Sequence, residues 1–294
     1  MGNVKVSIVI LRYKEIGEVI NCLNSIKKVN PRLSFEVILV DNNKKKRIIN
    51  KVRGKYSWLR YVKSPGNIGF DRGNNLGAKY AKGEYLLFLN PDTLVLPKAI
   101  DKLSGFLDKN HKTGVVAPNL IDEKGKVFLQ LGSRALTPIR GIVAHSFINK
   151  IFPNNPISRS YWLKDIPMDK LREVDVVPGS ALMIRRNVFE RIGGFDENFF
   201  IYFEESDLCK RVKEEGCRIF IIPQARIVHY WEPKTKNRRL NKEFEKSRLY
   251  YFKKHYGIFW ALVVEAFARF SKEHAIFLGF LLLYILFALI ILQL

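Results

Sequence analysis

The stretch VSIVILRYKEIGEVINCLNSIKKVNPRLSFEVILVDNN, residues 6–43, carries the pattern that decides the fold. Val6 to Leu11 is a short β-rich apolar run, Glu15 to Lys27 repeats apolar positions at helical spacing, and Phe35 to Val40 is a second β-rich run. Strand, helix and strand in that order make a βαβ unit, and nearly continuous apolar runs predict strands buried on both faces of a parallel sheet. Working outward, Asn74 to Ala81 is helix-like and Tyr85 to Leu89 is a third apolar run, so the first half is α/β. From Val115 the pattern loosens under Gly and Pro. It tightens again at Val176 to Ile184, at an acidic helix from Glu204 to Glu215, and at the strand-like runs Arg218 to Ile222 and Arg226 to Trp231. Neither an internal repeat nor a low-complexity linker precedes Glu232. The expected architecture is one α/β domain over residues 1–232, a mixed, mostly parallel sheet flanked by helices, divided near residues 110 and 111.

Beyond that domain the composition shifts. Residues 233–274 combine a basic stretch, nine Lys and Arg between Lys234 and Lys254 against Glu243 and Glu245, with the aromatic side chains Tyr251, Phe252, Tyr256, Phe259 and Trp260. Aromatic rings beside cations suit a headgroup zone, so amphipathic helices on a membrane surface are expected there, with packing against the main domain equally compatible. Residues 275–292 read AIFLGFLLLYILFALIIL, without a charge or a polar face. At helical rise this run extends about 27 Å, close to a hydrocarbon core of about 30 Å, so one transmembrane helix is expected. The basic flank lies on its N-terminal side, which places residues 1–232 at the cytoplasmic face of the cell membrane.

Net charge is +22, from 50 Lys and Arg against 28 Asp and Glu, so the surface attracts anions such as phosphorylated substrates, lipid headgroups or nucleic acid. The 47% apolar content supplies an ample core and excludes a disordered chain. Cys22, Cys209 and Cys217 form no C-x-x-C pair, which argues against a disulfide framework or a structural zinc site and fits a reducing compartment. G-x-S-x-G, H-E-x-x-H, G-x-G-x-x-G and P-loop signatures are all missing, so acyl transfer, zinc hydrolysis, dinucleotide binding and P-loop chemistry have no support.

In parallel sheets ligands sit outside the carboxyl ends of the strands, and polar residues gather there. Arg12-Tyr13-Lys14-Glu15 follows the first run, Asp41-Asn42 the second, and Asn90-Pro91-Asp92 the run YLLFL. Each alone serves equally as a helix cap or turn; their recurrence at successive strand ends makes a site. Asp92 closes a buried strand where a carboxylate and a bound diphosphate can share Mg²⁺ or Mn²⁺. The stretch GNIGFDRGNNLG, residues 66–77, allows close backbone approach to a sugar or nucleobase, with Asn67, Gly69, Asp71, Arg72 and Asn75 as candidate contacts. After the aromatic run FFIYF come the paired carboxylates Glu204 and Glu205, where desolvation and mutual repulsion raise one pKa toward a general base's range. Glu205 is the choice, with Glu204 the alternative. His229 is either a packed core histidine or a metal or diphosphate ligand.

Five segments in order carry a resemblance: VSIVILRYKE, VDNN, NIGFDRGNNLGAKYAKGEYLLFLNPDT, VPGSALMIRRNVFERIGGFDENFFIYFEESDLCKRVKEEG and IIPQARIVHYW. From Val4 to Trp231 the chain resembles the glycosyltransferase family 2 enzymes of GT-A fold, in particular their rhamnosyltransferase-like branch. The resemblance implies inverting transfer of a sugar from a nucleotide-sugar donor to an acceptor hydroxyl, with residues 1–110 as the nucleotide-sugar half and 111–232 as the acceptor half. It makes Asp41 a base or ribose contact, Asp92 the metal-binding member of a DxD-type motif, Glu205 the catalytic base and His229 a metal ligand. Tyr13, Glu15, Asn67, Gly69, Asp71, Arg72, Asn75 and Asn90 complete the expected donor side, and Gly179, Glu204 and Asp207 the acceptor side. Three departures stand out: Arg12-Tyr13-Lys14 stands where the branch usually has Asn-Tyr-Asn, Glu205 where Asp is usual, and Asn90 for the first Asp of the DxD-type motif, a variant common in the branch.

The membrane features point to a polyprenyl-linked saccharide as acceptor in cell-surface glycan or glycoprotein assembly. Two other readings compete. One is a noncatalytic nucleotide-sugar-binding protein, suggested by Glu205 and the lone Asp92. The other is a nucleic-acid-binding module, suggested by the nine Lys and Arg without an acid between Lys44 and Lys63. Interleaved stacking aromatics are sparse there, so no nucleic-acid partner is expected.

Overall fold

The computed structural model of the protein describes residues 4–14, 16–44, 49–52, 54–128, 131–145, 147–230 and 238–269. The expected transmembrane run 275–292 and the donor candidate Glu15 lie outside these residues. Among the described residues no helix is long and apolar enough to cross a membrane.

The chain forms two compact units, residues 1–135 with 162–247 and residues 136–161 with 248–294. The first is built on strands β1 (Val6–Arg12), β2 (Phe35–Asp41), β3 (Leu59–Lys63), β4 (Tyr85–Leu89), β5 (Thr93–Val95), β6 (Thr113–Ile121), β7 (Arg172–Glu173), β8 (Ala181–Arg185) and β9 (Arg218–His229). They form one sheet in the order β3-β2-β1-β4-β8-β6-β9-β5, with β7 also on β9. Strands β3, β2, β1 and β4 run parallel, whereas β8 is antiparallel to β4 and to β6. Every residue of β4 and β6 is buried, as double-sided coverage of a mixed α/β sheet requires.

Helix α1 (Ile16–Val29) follows β1 and buries Val19, Cys22, Leu23 and Ile26, the helical stripe read from the sequence. Helix α3 (Phe70–Ala78), which follows the short α2 (Ile49–Val52), begins earlier than the expected Asn74. Its glycines suit closeness rather than helix propensity: a Cβ on Gly73 would overlap Leu11, and one on Gly77 would overlap Val9 and Val40. The helix therefore lies directly on β1 and β2. Strand β9 joins the two expected runs, because a register shift beside Pro118 and Asn119 lets it continue past Pro223. Helices α4 (Ala99–Lys109), α8 (Arg186–Arg191) and α9 (Glu204–Glu214) complete this unit's coverage.

The unit boundaries differ from a division at residue 232. Residues 238–247 stay with the first unit because Phe244 packs its ring against Tyr202 and Phe203, at 5.4 and 5.2 Å between centroids, and Ser247 Oγ donates to the Ile201 carbonyl at 2.8 Å. The second unit contains α5 (Pro138–His145), α6 (Phe147–Ile151) and α7 (Pro156–Tyr161), with the Phe252 ring against Gly141 and Tyr251 donating to the Leu136 carbonyl at 3.3 Å. Helix α10 (Arg238–Arg269) is interrupted at Gly257, whose φ is 84°. After that break the helix is inverted in polarity. Ile258, Phe259, Leu262 and Phe267 are exposed, at 54, 68, 57 and 38%, while Glu265 is buried against Arg248.

Candidate active site

The carboxyl end of β4 and the amino end of β5 meet the ends of their antiparallel neighbours. Register pairs Leu89 with Ala181, and the Asn90 amide donates to the Ser180 carbonyl at 2.9 Å. On the other side Thr93 pairs with His229, and the Tyr230 amide donates to the Asp92 carbonyl at 2.9 Å. This pairing brings His229 Nε2 to 3.5 Å from Asp92 Oδ2. Asp92 Oδ1 is buried without a hydrogen-bond partner. An orphaned carboxylate oxygen beside an imidazole nitrogen fits a divalent cation, and it is the donor set expected from the sequence. Among the described residues no third His, Cys, Asp or Glu joins this pair in a cluster.

Next to Ser180, Gly179 faces α9: a Cβ there would lie 3.6 Å from Glu205 Cβ, 3.7 Å from Glu205 Oε2 and 3.9 Å from Glu204 Oε1. Glu205 is half-buried, and burial raises its pKa above the ordinary glutamate value. Glu204 is deeper, 8% exposed with Oε2 unpartnered, and burial followed by the Glu205 charge pushes it well above that value. The turn presenting them is strained. Tyr202 and Phe203 adopt left-handed φ of 73° and 68°, unusual for aromatic residues, at about 1–3 kcal/mol each. Their packing on Phe244 holds that conformation, a support that pattern reading of the sequence did not reveal.

Other expected contacts are placed differently. Asp41 is fully buried with both oxygens engaged: Oδ1 by Arg12 at 2.6 Å, Oδ2 by the Tyr61 hydroxyl at 2.6 Å and Lys63 at 3.4 Å. It therefore fixes Arg12, which replaces the usual asparagine, at the strand end. Asp71 is 0% exposed, and burial followed by the charges of Glu204, Asp207, Glu205 and Asp196 raises its pKa. Asn75 clamps α3 to the following chain, donating to the Phe195 carbonyl at 2.9 Å and accepting the Phe195 amide at 3.0 Å. Arg72 lies 3.6 Å from Glu197. Asp207, expected on the acceptor side, is fully buried and held by Arg211 at 2.6 and 2.9 Å. Asp71 and Asp207 are thus fully buried, whereas Asn75 stays partly exposed with its amide engaged by Phe195.

Tyr13 is exposed beside the β1 end, and Gly69 lies against Phe200. Asn67 accepts from Asn42 at 3.2 Å. Asn42, read from the sequence only as a strand-end polar residue beside Asp41, is the organiser of this corner. Its amide donates to the Gly69 carbonyl at 3.0 Å and its oxygen accepts from the Ile68 amide at 3.0 Å and the Ser64 hydroxyl at 2.9 Å. One buried side chain thus shapes the glycine-rich loop. The sequence signal was its place directly after Asp41 at a strand end.

Known proteins resemble this chain in sequence and in fold. N-acetylglucosaminyl-diphospho-decaprenol L-rhamnosyltransferase of Mycobacterium tuberculosis is 26% identical over 205 residues, a match taking in 66% of this chain and 66% of that protein. Rhamnosyltransferase WbbL of Escherichia coli is 28% identical over 200 residues, 66% of this chain and 72% of that protein. The mannosyltransferase PcManGT from Pyrobaculum calidifontis, solved with GDP-Man and Mn²⁺, superposes with a TM-score of 0.59 at 17% identity, covering 96% of this chain and 80% of that one, a likeness of fold. Residues 171–236 match the family described as the N-terminal domain of galactosyltransferase. Residues 7–193 match Glycosyl transferase family 2, and with the GT-A-like sheet and its strand-end site this shows that the chain belongs to glycosyltransferase family 2.

Proposed function

We propose that the protein catalyses metal-assisted, inverting transfer of a sugar from a nucleotide-sugar donor to a hydroxyl of a lipid-linked saccharide. The observation carrying this reading is the Glu205 carboxyl beside Gly179, one strand end from the Asp92 and His229 pair. Glu205 takes the proton of the acceptor hydroxyl as that oxygen attacks the anomeric carbon opposite the nucleotide. The carbon–oxygen bond to the diphosphate breaks in the same step, and configuration inverts. A divalent ion, Mg²⁺ or Mn²⁺, when bound by Asp92 and His229, supplies neutralisation of charge on the departing diphosphate. Asn42 and its loop hold the donor side, with Tyr13 and Asn90 at its edges.

Membrane placement is part of the proposal. The uncharged run 275–292, the basic flank Lys234 to Lys254 and the outward apolar face of residues 258–269 support a membrane-anchored protein with its first unit at the cytoplasmic face. A decaprenol-linked substrate appears in the name of the mycobacterial relative, which supports the lipid-linked acceptor. The donor side is tested by calorimetry against a panel of nucleotide sugars with and without Mn²⁺. One donor class is expected to bind with metal dependence, and Asp92→Ala to abolish that dependence. Equal binding by the variant would remove Asp92 from the metal site.

A further inference from the structure

Asp71 is the buried group that the mechanism leaves unused. It sits in the first turn of α3 with 0% exposure, and neither carboxyl oxygen has a hydrogen-bond partner. Its surroundings are fixed. The Phe70 amide donates to the Phe200 carbonyl at 2.7 Å, and Asn75 grips Phe195 through two further bonds, so α3 is docked on the chain that leads into α9. From that chain and from α9 it feels the carboxyls of Glu204, Asp207, Glu205 and Asp196. Among the described residues, Arg211 is engaged by Asp207 and by the Ile192 and Gly194 carbonyls at 2.7 Å, and Arg72 by Glu197. Glu204 Oε2 is a third buried acceptor without a donor. Buried acceptors without donors are costly, and the smallest donor able to enter such a cluster is a proton on one of its own carboxyls.

We propose that Asp71 is a positioning residue, a neutral carboxylic acid that donates its hydrogen bond into the first turn of α9 and leaves Glu205 as the ionised member of the cluster. The proposal rests on Glu205 as the base. Burial, followed by the charges of Glu204, Asp207, Glu205 and Asp196, pushes Asp71 up to about 10. Glu205 is the most exposed of Asp71, Glu204 and Glu205 and so ionises with least desolvation. Asp71 is maintained at a cost in stability. Its folded pKa lies above its unfolded value of 3.8, so stability is full below that value and is lost as pH rises toward about 10.

The test uses the full chain in detergent, with Asp71→Asn, Asp71→Leu and Glu205→Gln. Asparagine keeps a donor and removes the titration. Asp71→Asn is therefore expected to melt higher than wild type at about pH 8, with the gain vanishing toward about pH 4. Asp71→Leu is expected to lose about tenfold in kcat, the worth of one hydrogen bond to a charged group, with the donor KM unchanged. Asparagine should recover most of that loss and displace the alkaline limb of the pH profile. A melting difference independent of pH, or an Asp71→Asn variant as slow as Asp71→Leu, would overturn the proposal. A fully active Glu205→Gln would instead overturn the base assignment, which separates the two failures.

Discussion

Replacing Glu205 with glutamine is expected to lower kcat by about 10²–10⁴-fold, the range for a lost general base, while donor affinity stays as in wild type. Glutamine keeps the size of the side chain beside Gly179 and removes only the proton acceptor. The effect falls on the chemical step because the acceptor hydroxyl becomes a strong nucleophile only as its proton leaves. Burial raises Glu205 above the ordinary glutamate value, so the acid limb of kcat/KM is expected at higher pH than for a free glutamate, activity rising as the carboxylate forms. Single-turnover kinetics together with donor titration checks both parts. Loss of donor binding in the variant would show that the carboxylate holds the donor instead.

Glu265→Ala is expected to destabilise the second unit by about 3–5 kcal/mol, the cost of stranding a buried charge. Arg248 Nε donates to Glu265 Oε1 at 2.6 Å and its terminal nitrogen to Oε2 at 2.9 Å, with both side chains 7% exposed. Removal of the carboxylate leaves a guanidinium desolvated without its counter-charge. Replacing both partners with apolar residues of similar volume is expected to cost far less. Hydrogen exchange should localise the loss to residues 136–161 and 248–269; protection unchanged there would show that the pair contributes nothing to that unit.

Much of the sheet is readable in the sequence because strands buried on both faces must be apolar at every position, as YLLFL is. Helix α3 was harder. Its Gly and Asn content argues against a helix, and the reason for the glycines, contact with Val9, Leu11 and Val40, exists only once the sheet has formed. Asp92 was placed by its position after a buried strand and His229 by the family resemblance, and their closeness arises because β5 and β9 are neighbours in register. Asp71, Asn75 and Asp207 were expected as ligand contacts, and the burial of Asp71 and Asp207 and the Phe195 bonds of Asn75 were not legible beside that expectation, for one physical cause. Polarity in a glycine-rich loop or at a helix start looks the same whether the group meets substrate or is buried by chain that arrives later, and the Phe195 partner of Asn75 lies 120 positions on. The inverted face after Gly257 was equally hidden, because residue type alone does not say that Glu265 turns inward while Phe259 turns out.

The central claim is transfer to a lipid-linked acceptor with inversion, and following labelled sugar from the donor that binds tests it most directly. Full-length protein with that donor, Mn²⁺ and a polyprenyl-diphosphate saccharide is predicted to move label into the organic phase, in a linkage of opposite anomeric configuration to the donor. Label recovered only as free sugar in water, or in a linkage of retained configuration, would contradict the account.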